Sequence, residues 1–537
     1  MTHEPRPGSA SRQPDASQPS AAPSGFPSVG GAAPAPSNRG SSVPLLLAAA
    51  AVLAVLAAGL WLLLPRGGDP GASGSARPTT VAAASPSAGG STSATAPGSS
   101  ETAGSSPSGS AGTPGPTGTA VASPTSTAAG PSATTGPAPS GELPIDPAVE
   151  SRIREITDQV PPIRGLEALD DVPFRFITPD QFEGELRDLF LADNPPERVA
   201  AEEDVLKRLG LLEPEADLEE LVLELYGSQV AAFYDTRTQR FTVIQRDESA
   251  EFGPSDAIVV AHEYVHALQD QHFDLEGTAV VDPAEGDRAL GTLGLIEGDA
   301  VAVMIDWAIA NLTFEELLGI QEAVTPADQE LLESMPPVLR RQLEFPYTDG
   351  LAFVTAIRAG GGYEAVDAAF DARPVSTEQI MHPEKYLERE DPIVVELPDV
   401  AAALGQGWTA SYQQTLGELL IGVLVADGES APGPALPGLL PSLPNAEAAA
   451  GWGGDRLVSL DGPDGAWAVY WRTTWDSTED AREFEDSTNA ALVDLPFPHG
   501  LQVVDTTGPA GHQDDIYVLI ASDEATLDRL RGSVPAL

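Results

Sequence analysis

The 537-residue chain has no cysteine. Disulfides, thiolate nucleophiles and Cys-ligated metals are thereby excluded, so any metal here must rest on histidine and carboxylate ligands. Basic side chains are also scarce: 28 Lys and Arg stand against 80 Asp and Glu, a formal net charge of −52. Nearly all of these charges follow residue 141. A surface of that sign repels nucleic acid and anionic membrane faces, which argues against both as partners of the charged part. No Asp-rich loop with EF-hand spacing is present, so the acidity reads as a salt-tolerant, solvated surface and not as a set of calcium sites.

Aromatic and large aliphatic side chains are nearly missing from residues 1–43 and 67–141, which are built of Ser, Thr, Ala, Gly and Pro. Such segments bury too little apolar surface to offset chain entropy, and disorder is expected. Between them, Pro44 to Leu64 is an uninterrupted apolar run. As a helix it is about 30 Å long, the thickness of a hydrocarbon core, and it is longer and later than the apolar region of a cleaved signal peptide. Arg6, Arg12 and Arg39 precede it while Arg66 and Arg77 follow, a slight positive-inside bias. The composition of residues 65–141 is that of an extended stalk able to carry O-glycans. The expected order is a cytoplasmic tail (1–43), a single membrane span (44–64), a stalk (65–141) and a C-terminal bulk held outside the cell membrane.

From Glu142 the composition becomes globular. Periodicity predicts helices over 147–160 and 200–226, then a hairpin of Val230–Tyr234 and Arg240–Ile244 around the turn Asp235–Thr238. A helix from Ser255 to about His272 follows, then a long one from the Asp282-Pro283 cap to about Asn311, and further helices over 314–372. Near residue 400 a new segment begins: helix 411–426, strands 456–460 and 466–474, helix 477–493, strands 501–505 and 515–521, and helix 523–532. After its first helix this is a β-β-α-β-β-α order, a small α+β subdomain over 400–537.

The helix at 255–272 carries His262-Glu263-Tyr264-Val265-His266. Residues i and i+4 stand about 40° apart and about 6 Å along a helix, so both imidazoles reach one metal ion. Glu263 lies on the same side, where its carboxylate can take a proton from water at that metal, the arrangement of zinc hydrolases. Two residues compete to be the third ligand. His272 stands where a longer three-histidine motif would place it, but that motif needs a glycine turn and has Gln269 here, so a continuing helix carries His272 away. Glu297 falls in the apolar stripe Leu290, Leu293, Ala300, Met304 and Trp307, where an ionised carboxylate is costly unless it is paired or bound to metal. Asp299 and Asp306 fall on the opposite face, as solvated groups or as supports of the ligands.

Val259 to Phe273 together with Leu295-Ile296-Glu297-Gly298-Asp299-Ala300 resembles the gluzincin type of zinc metallopeptidase, and more closely an uncharacterised bacterial metallopeptidase-like family. The resemblance extends to Ala231–Asp235, Phe345–Gly350, Ser376–Tyr386 and Gly451–Arg456, so it covers about residues 145 to 530. It implies a zincin-like domain over 142–399, mostly helical with a small sheet, with the α+β subdomain in the same functional unit. It also implies Zn2+ held by His262, His266 and Glu297, with Glu263 as the catalytic carboxylate. One position departs from the pattern: known gluzincins have a carboxylate four residues after the ligand glutamate to orient a histidine, and here that residue is Val301.

Read together, these features predict a membrane-anchored extracellular zinc metallopeptidase acting on peptide or protein substrates. Tyr347 and His382 are the candidates to stabilise the oxyanion. In zincin folds a strand placed like the 230–244 hairpin lines the cleft, so peptides are expected to add to it as a strand. The alternatives are a zinc amidase acting on cell-wall peptides and an inactive pseudopeptidase or binding module.

Overall fold

The computed structural model describes residues 143–535, apart from 246–251, 279–281, 283, 324–325, 427–445 and 509–510. The tail, span and stalk read from the sequence lie outside the described residues. Among the described residues no helix is long and apolar enough to cross a membrane. The fold is mixed α+β: a mostly helical part with a three-stranded sheet, then a part built on a five-stranded sheet.

The first helix, Pro147–Arg164, is capped by the Asp146 side chain and ended by Gly165 at φ 84°. It runs past the expected end at Val160 and delivers Arg164 into the interior. The single helix expected over 200–226 is instead two, Pro196–Arg208 and Leu218–Gln229. Gly210, at φ 77°, takes a left-handed conformation that a side chain would disfavour, and Asp217 then caps the second helix through Glu220 N–H.

A strand with no sequence-based expectation, β1 (Phe174–Ile177), completes the first sheet with β2 (Ala232–Asp235) and β3 (Arg240–Ile244). The order is β1-β3-β2, with β1 parallel and β2 antiparallel to β3. The expected hairpin is therefore present, and β2 is its edge strand.

Three helices form the heart of the helical part. The motif helix, Pro254–Phe273, starts where the Asp256 side chain accepts from Gly253 N–H at 2.7 Å and stops at Asp274 in the left-handed region. It runs unbroken through Gln269. The glutamate helix, Gly286–Asn311, is buried on almost every side from Gly291 to Met304. The tyrosine helix, Pro337–Asp371, crosses it and is broken at Gly362, φ 67°. The crossing is made by glycines: a Cβ built on Gly298 would lie 2.9 Å from Gly350 Cα, and one on Gly350 would lie 3.2 Å from Gly294 Cα. The two backbones therefore touch, and Glu297 and Tyr347 are brought to the same region.

In the last part, the helix expected over 411–426 is replaced by β4 (Thr409–Gln414) followed by the helix Gly417–Leu424. Tyr412 and Gln414 are buried and Ser411 and Gln413 exposed, a period of two, and Gly417 at φ 73° makes the turn. With β5 (Trp452–Asp461), β6 (Trp467–Trp475), β7 (His499–Gly508) and β8 (Gly511–Ala521) it forms an antiparallel sheet of order β4-β5-β6-β8-β7. The β-β-α-β-β-α order is present, with one more strand at its edge. Val469 and Trp471 point to one side with Phe484, and Ala468 and Tyr470 to the other with Leu527 and Leu530. The first cluster includes Val199 and Leu206 of the helical part, so the two parts share a core.

Candidate metal centre

His262 and His266 leave the motif helix one turn apart and meet Glu297 from the glutamate helix. His262 Nε2 stands 3.1 Å from His266 Nε2, and Glu297 Oε2 lies 3.2 and 3.3 Å from them in the same order. Among the described residues this is the group of three that could hold a metal ion. Three atoms in tetrahedral array about 2.05 Å from a common centre stand about 3.3 Å apart, so the observed triangle has edge lengths that fit a metal ion bound at such a distance. Glu297 Oε1 is buried without a hydrogen bond and Oε2 faces the two histidine nitrogens, an arrangement that a cation would satisfy.

His262, Glu263, His266, Glu297 and Tyr347 are at most 1 % exposed. Burial and its compensation decide their charges. Burial pushes the Glu263 carboxyl up to about 8, although His266 and the Tyr234 N–H oppose it. Burial would lower His266, but the neighbouring Glu297 and Glu263 carboxyls and Gln269 outweigh it and raise it. Burial lowers His262, while the two histidines keep Glu297 below its ordinary value against the effect of burial. A divalent cation held there would compete with protons for the same ligand atoms.

Glu263 is held from the edge of the small sheet. Tyr234 N–H, on the side of β2 away from β3, donates to Glu263 Oε2 at 3.0 Å, and the Tyr234 hydroxyl donates to Asp270 Oδ2 at 2.9 Å. The second carboxylate oxygen, Oε1, is buried and free of partners. Because Glu263 takes this outward N–H and Ala232 to Tyr234 are buried, β2 does not present an open edge for an added strand.

Of the two oxyanion candidates, the structure brings one to the site. The Tyr347 ring lies 6.2 Å from the His262 ring, and its hydroxyl is buried without a hydrogen-bond partner. Burial, with Glu297 and Glu263 nearby, raises it well above the ordinary tyrosine value. His382 is elsewhere: it caps a turn between two short helices and pairs with Glu418 at 2.9 Å and Glu384 at 3.8 Å. None of its partners belongs to the metal group. His272 is also separate, as the continuing helix implied, and its Nε2 meets Glu167 O at 2.8 Å.

The support lacking at Val301 comes from another direction. His266 Nδ1 lies 2.9 Å from Gln269 Oε1, and Gln269 Nε2 donates to Ile296 O at 3.0 Å and to Asp299 Oδ2 at 2.9 Å. Asp299, one of two acids assigned to the opposite face, is fully buried and paired with Arg164 Nε at 2.9 Å. The other, Asp306, is half-buried with Arg358 at 2.8 Å. Sequence reasoning missed Gln269, Arg164 and Tyr234. The one available signal was a glutamine three residues after His266 on the buried side of the motif helix.

Residues 407–529, which span the five-stranded sheet, match a family described as a domain of unknown function, DUF8575. No curated protein and no solved structure matches the chain.

Proposed function

We propose that this chain is a zinc metallopeptidase of zincin-like fold, anchored in the cell membrane through residues 44–64 with its folded part outside, and that it hydrolyses peptide bonds. The observation that carries this reading is the buried His262–His266–Glu297 triangle of tetrahedral edge length, with Glu263 Oε1 and the Tyr347 hydroxyl left without partners beside it. Zinc, when bound by these three side chains, supplies Lewis acidity that lowers the pKa of water and polarises a carbonyl. Glu263 takes the proton of the attacking water on Oε1 while Tyr234 N–H fixes its other oxygen, and then delivers the proton to the leaving amine nitrogen. Tyr347 offers its hydroxyl proton to the oxyanion as the carbonyl becomes tetrahedral.

The complete burial of the five side chains favours a second reading, a metal site serving structure alone in a pseudopeptidase or binding module. Two buried polar atoms without partners count against it, because a structural site gains nothing from them. A zinc amidase acting on cell-wall peptides would use the same residues. Incubation of the zinc-loaded chain with a mixed peptide library and with cell-wall peptides, with and without a chelator, separates the three. The peptidase reading requires chelator-sensitive cleavage of ordinary peptide bonds, and zinc uptake with no cleavage of any peptide would refute it.

A further inference from the structure

We propose that Gln269 is a positioning residue that fixes the tautomer and ring orientation of His266, and that it does so as the first link of a buried chain running through Asp299 to Arg164. The inference rests on the metal reading above. An amide can present either its oxygen or its nitrogen to a neighbour, and here the surroundings decide. The nitrogen side of Gln269 faces two acceptors, Ile296 O at 3.0 Å and Asp299 Oδ2 at 2.9 Å. Turning the amide over would set its oxygen against a carbonyl and a carboxylate while wasting both donors. The oxygen is therefore committed to His266 Nδ1, at 2.9 Å. An acceptor at that distance requires a proton on Nδ1, which leaves the Nε2 lone pair directed at His262 and Glu297, where a metal would bind.

Asp299 is held in turn. Arg164 Nε lies 2.9 Å from Asp299, and Arg164 Nη2 lies 2.7 Å from Asp367. The side chains of Arg164 and Asp299 are both fully buried, so the pair is shielded from water and its geometry is set by packing. His262 has no such support: its Nδ1 is buried without a partner. The two histidines therefore differ, with His266 Nδ1 committed to an acceptor and His262 Nδ1 without one. The device also differs from a carboxylate borne four residues beyond the ligand glutamate, since Val301 occupies that place and the amide comes from the motif helix itself.

The test uses the purified full-length chain, with Gln269→Met, which keeps length and helix propensity but removes the acceptor, and Gln271→Met as control. Gln271, half-buried on the same helix away from the metal group, accepts from Leu169 N–H at 2.7 Å. Zinc affinity measured against a competing chelator should fall about 10- to 100-fold in Gln269→Met and stay unchanged in Gln271→Met. In the zinc-loaded wild type labelled with 15N-histidine, His266 should show a protonated Nδ1 whose proton exchanges slowly, a readout that stands even if Gln269→Met folds poorly. Equal zinc affinity in wild type and Gln269→Met, or zinc ligated through His266 Nδ1, would overturn the proposal while leaving the metal site intact. A wild-type chain that takes up no zinc would instead sink the metal reading, and this role with it.

Discussion

Replacing Gly298 with alanine adds one methyl group where two helix backbones touch. The added carbon would stand 2.9 Å from Gly350 Cα and closer still to the Gly350 carbonyl. Carbon atoms prefer about 3.5–4.0 Å, so the helices must separate by the better part of an ångström along a fully buried contact. Such overpacking costs about 1–3 kcal/mol or more, against a propensity gain of roughly 1 kcal/mol for glycine to alanine in a helix. Gly319→Ala provides the contrast: it too lies in a helix, Phe314–Ala323, but a Cβ there meets nothing within 4 Å. Denaturant unfolding of the two variants should give opposite signs, with Gly298→Ala less stable than wild type and Gly319→Ala equal or slightly more stable. Because Tyr347 sits one turn before Gly350, Gly298→Ala should also lower turnover more than zinc affinity. A Gly298→Ala protein as stable as Gly319→Ala would refute the backbone contact and the way it assembles the site.

Tyr347→Phe removes a buried hydroxyl without a partner, so it should not lower stability or zinc affinity, yet turnover should fall by about 10²–10³ if the hydroxyl meets the oxyanion; unchanged turnover would remove it from the chemistry. Glu297→Ala should lose zinc and His272→Ala should keep it, as metal analysis would show, and the reverse result would discard the assignment of Glu297. Asp287 is pushed well above the usual carboxyl range by burial, with Asp455 and Glu378 as acidic neighbours. Folding then takes up a proton there, so its contribution to stability is full below the unfolded value of about 4 and is lost as pH rises through the folded one. Asp287→Asn should therefore flatten the fall in stability between pH 4 and 8 seen by denaturant unfolding, and parallel curves for variant and wild type would contradict the shift.

The parts of the site that depend on local spacing were legible in the sequence. His262, Glu263 and His266 are placed by helix geometry alone, and Glu297 stood out because a carboxylate interrupted an apolar stripe. What the sequence could not convey was which helix covers the other face of that stripe. The sequence leaves Asp299 as either a solvated group or a support of the ligands, and only the arrival of Arg164, 135 positions earlier, makes its side of the glutamate helix interior. His382 misled for the same reason, since its partner Glu418 comes from a helix 36 residues later. In β4, a short run of Ser, Tyr and Gln gave too few apolar positions to separate a period of two from a helical one, and the strand was read into the following helix.

The central claim is that Glu263 performs chemistry at a zinc ion held by its neighbours, and Glu263→Gln tests it most directly. The amide keeps the shape of the side chain and an oxygen for the Tyr234 N–H, but it cannot accept a proton from water. Zinc content and peptide hydrolysis should be measured on the same preparation of the full-length variant. The account predicts one zinc retained per chain with hydrolysis lost, and a variant that keeps zinc and most of its hydrolytic activity would contradict it.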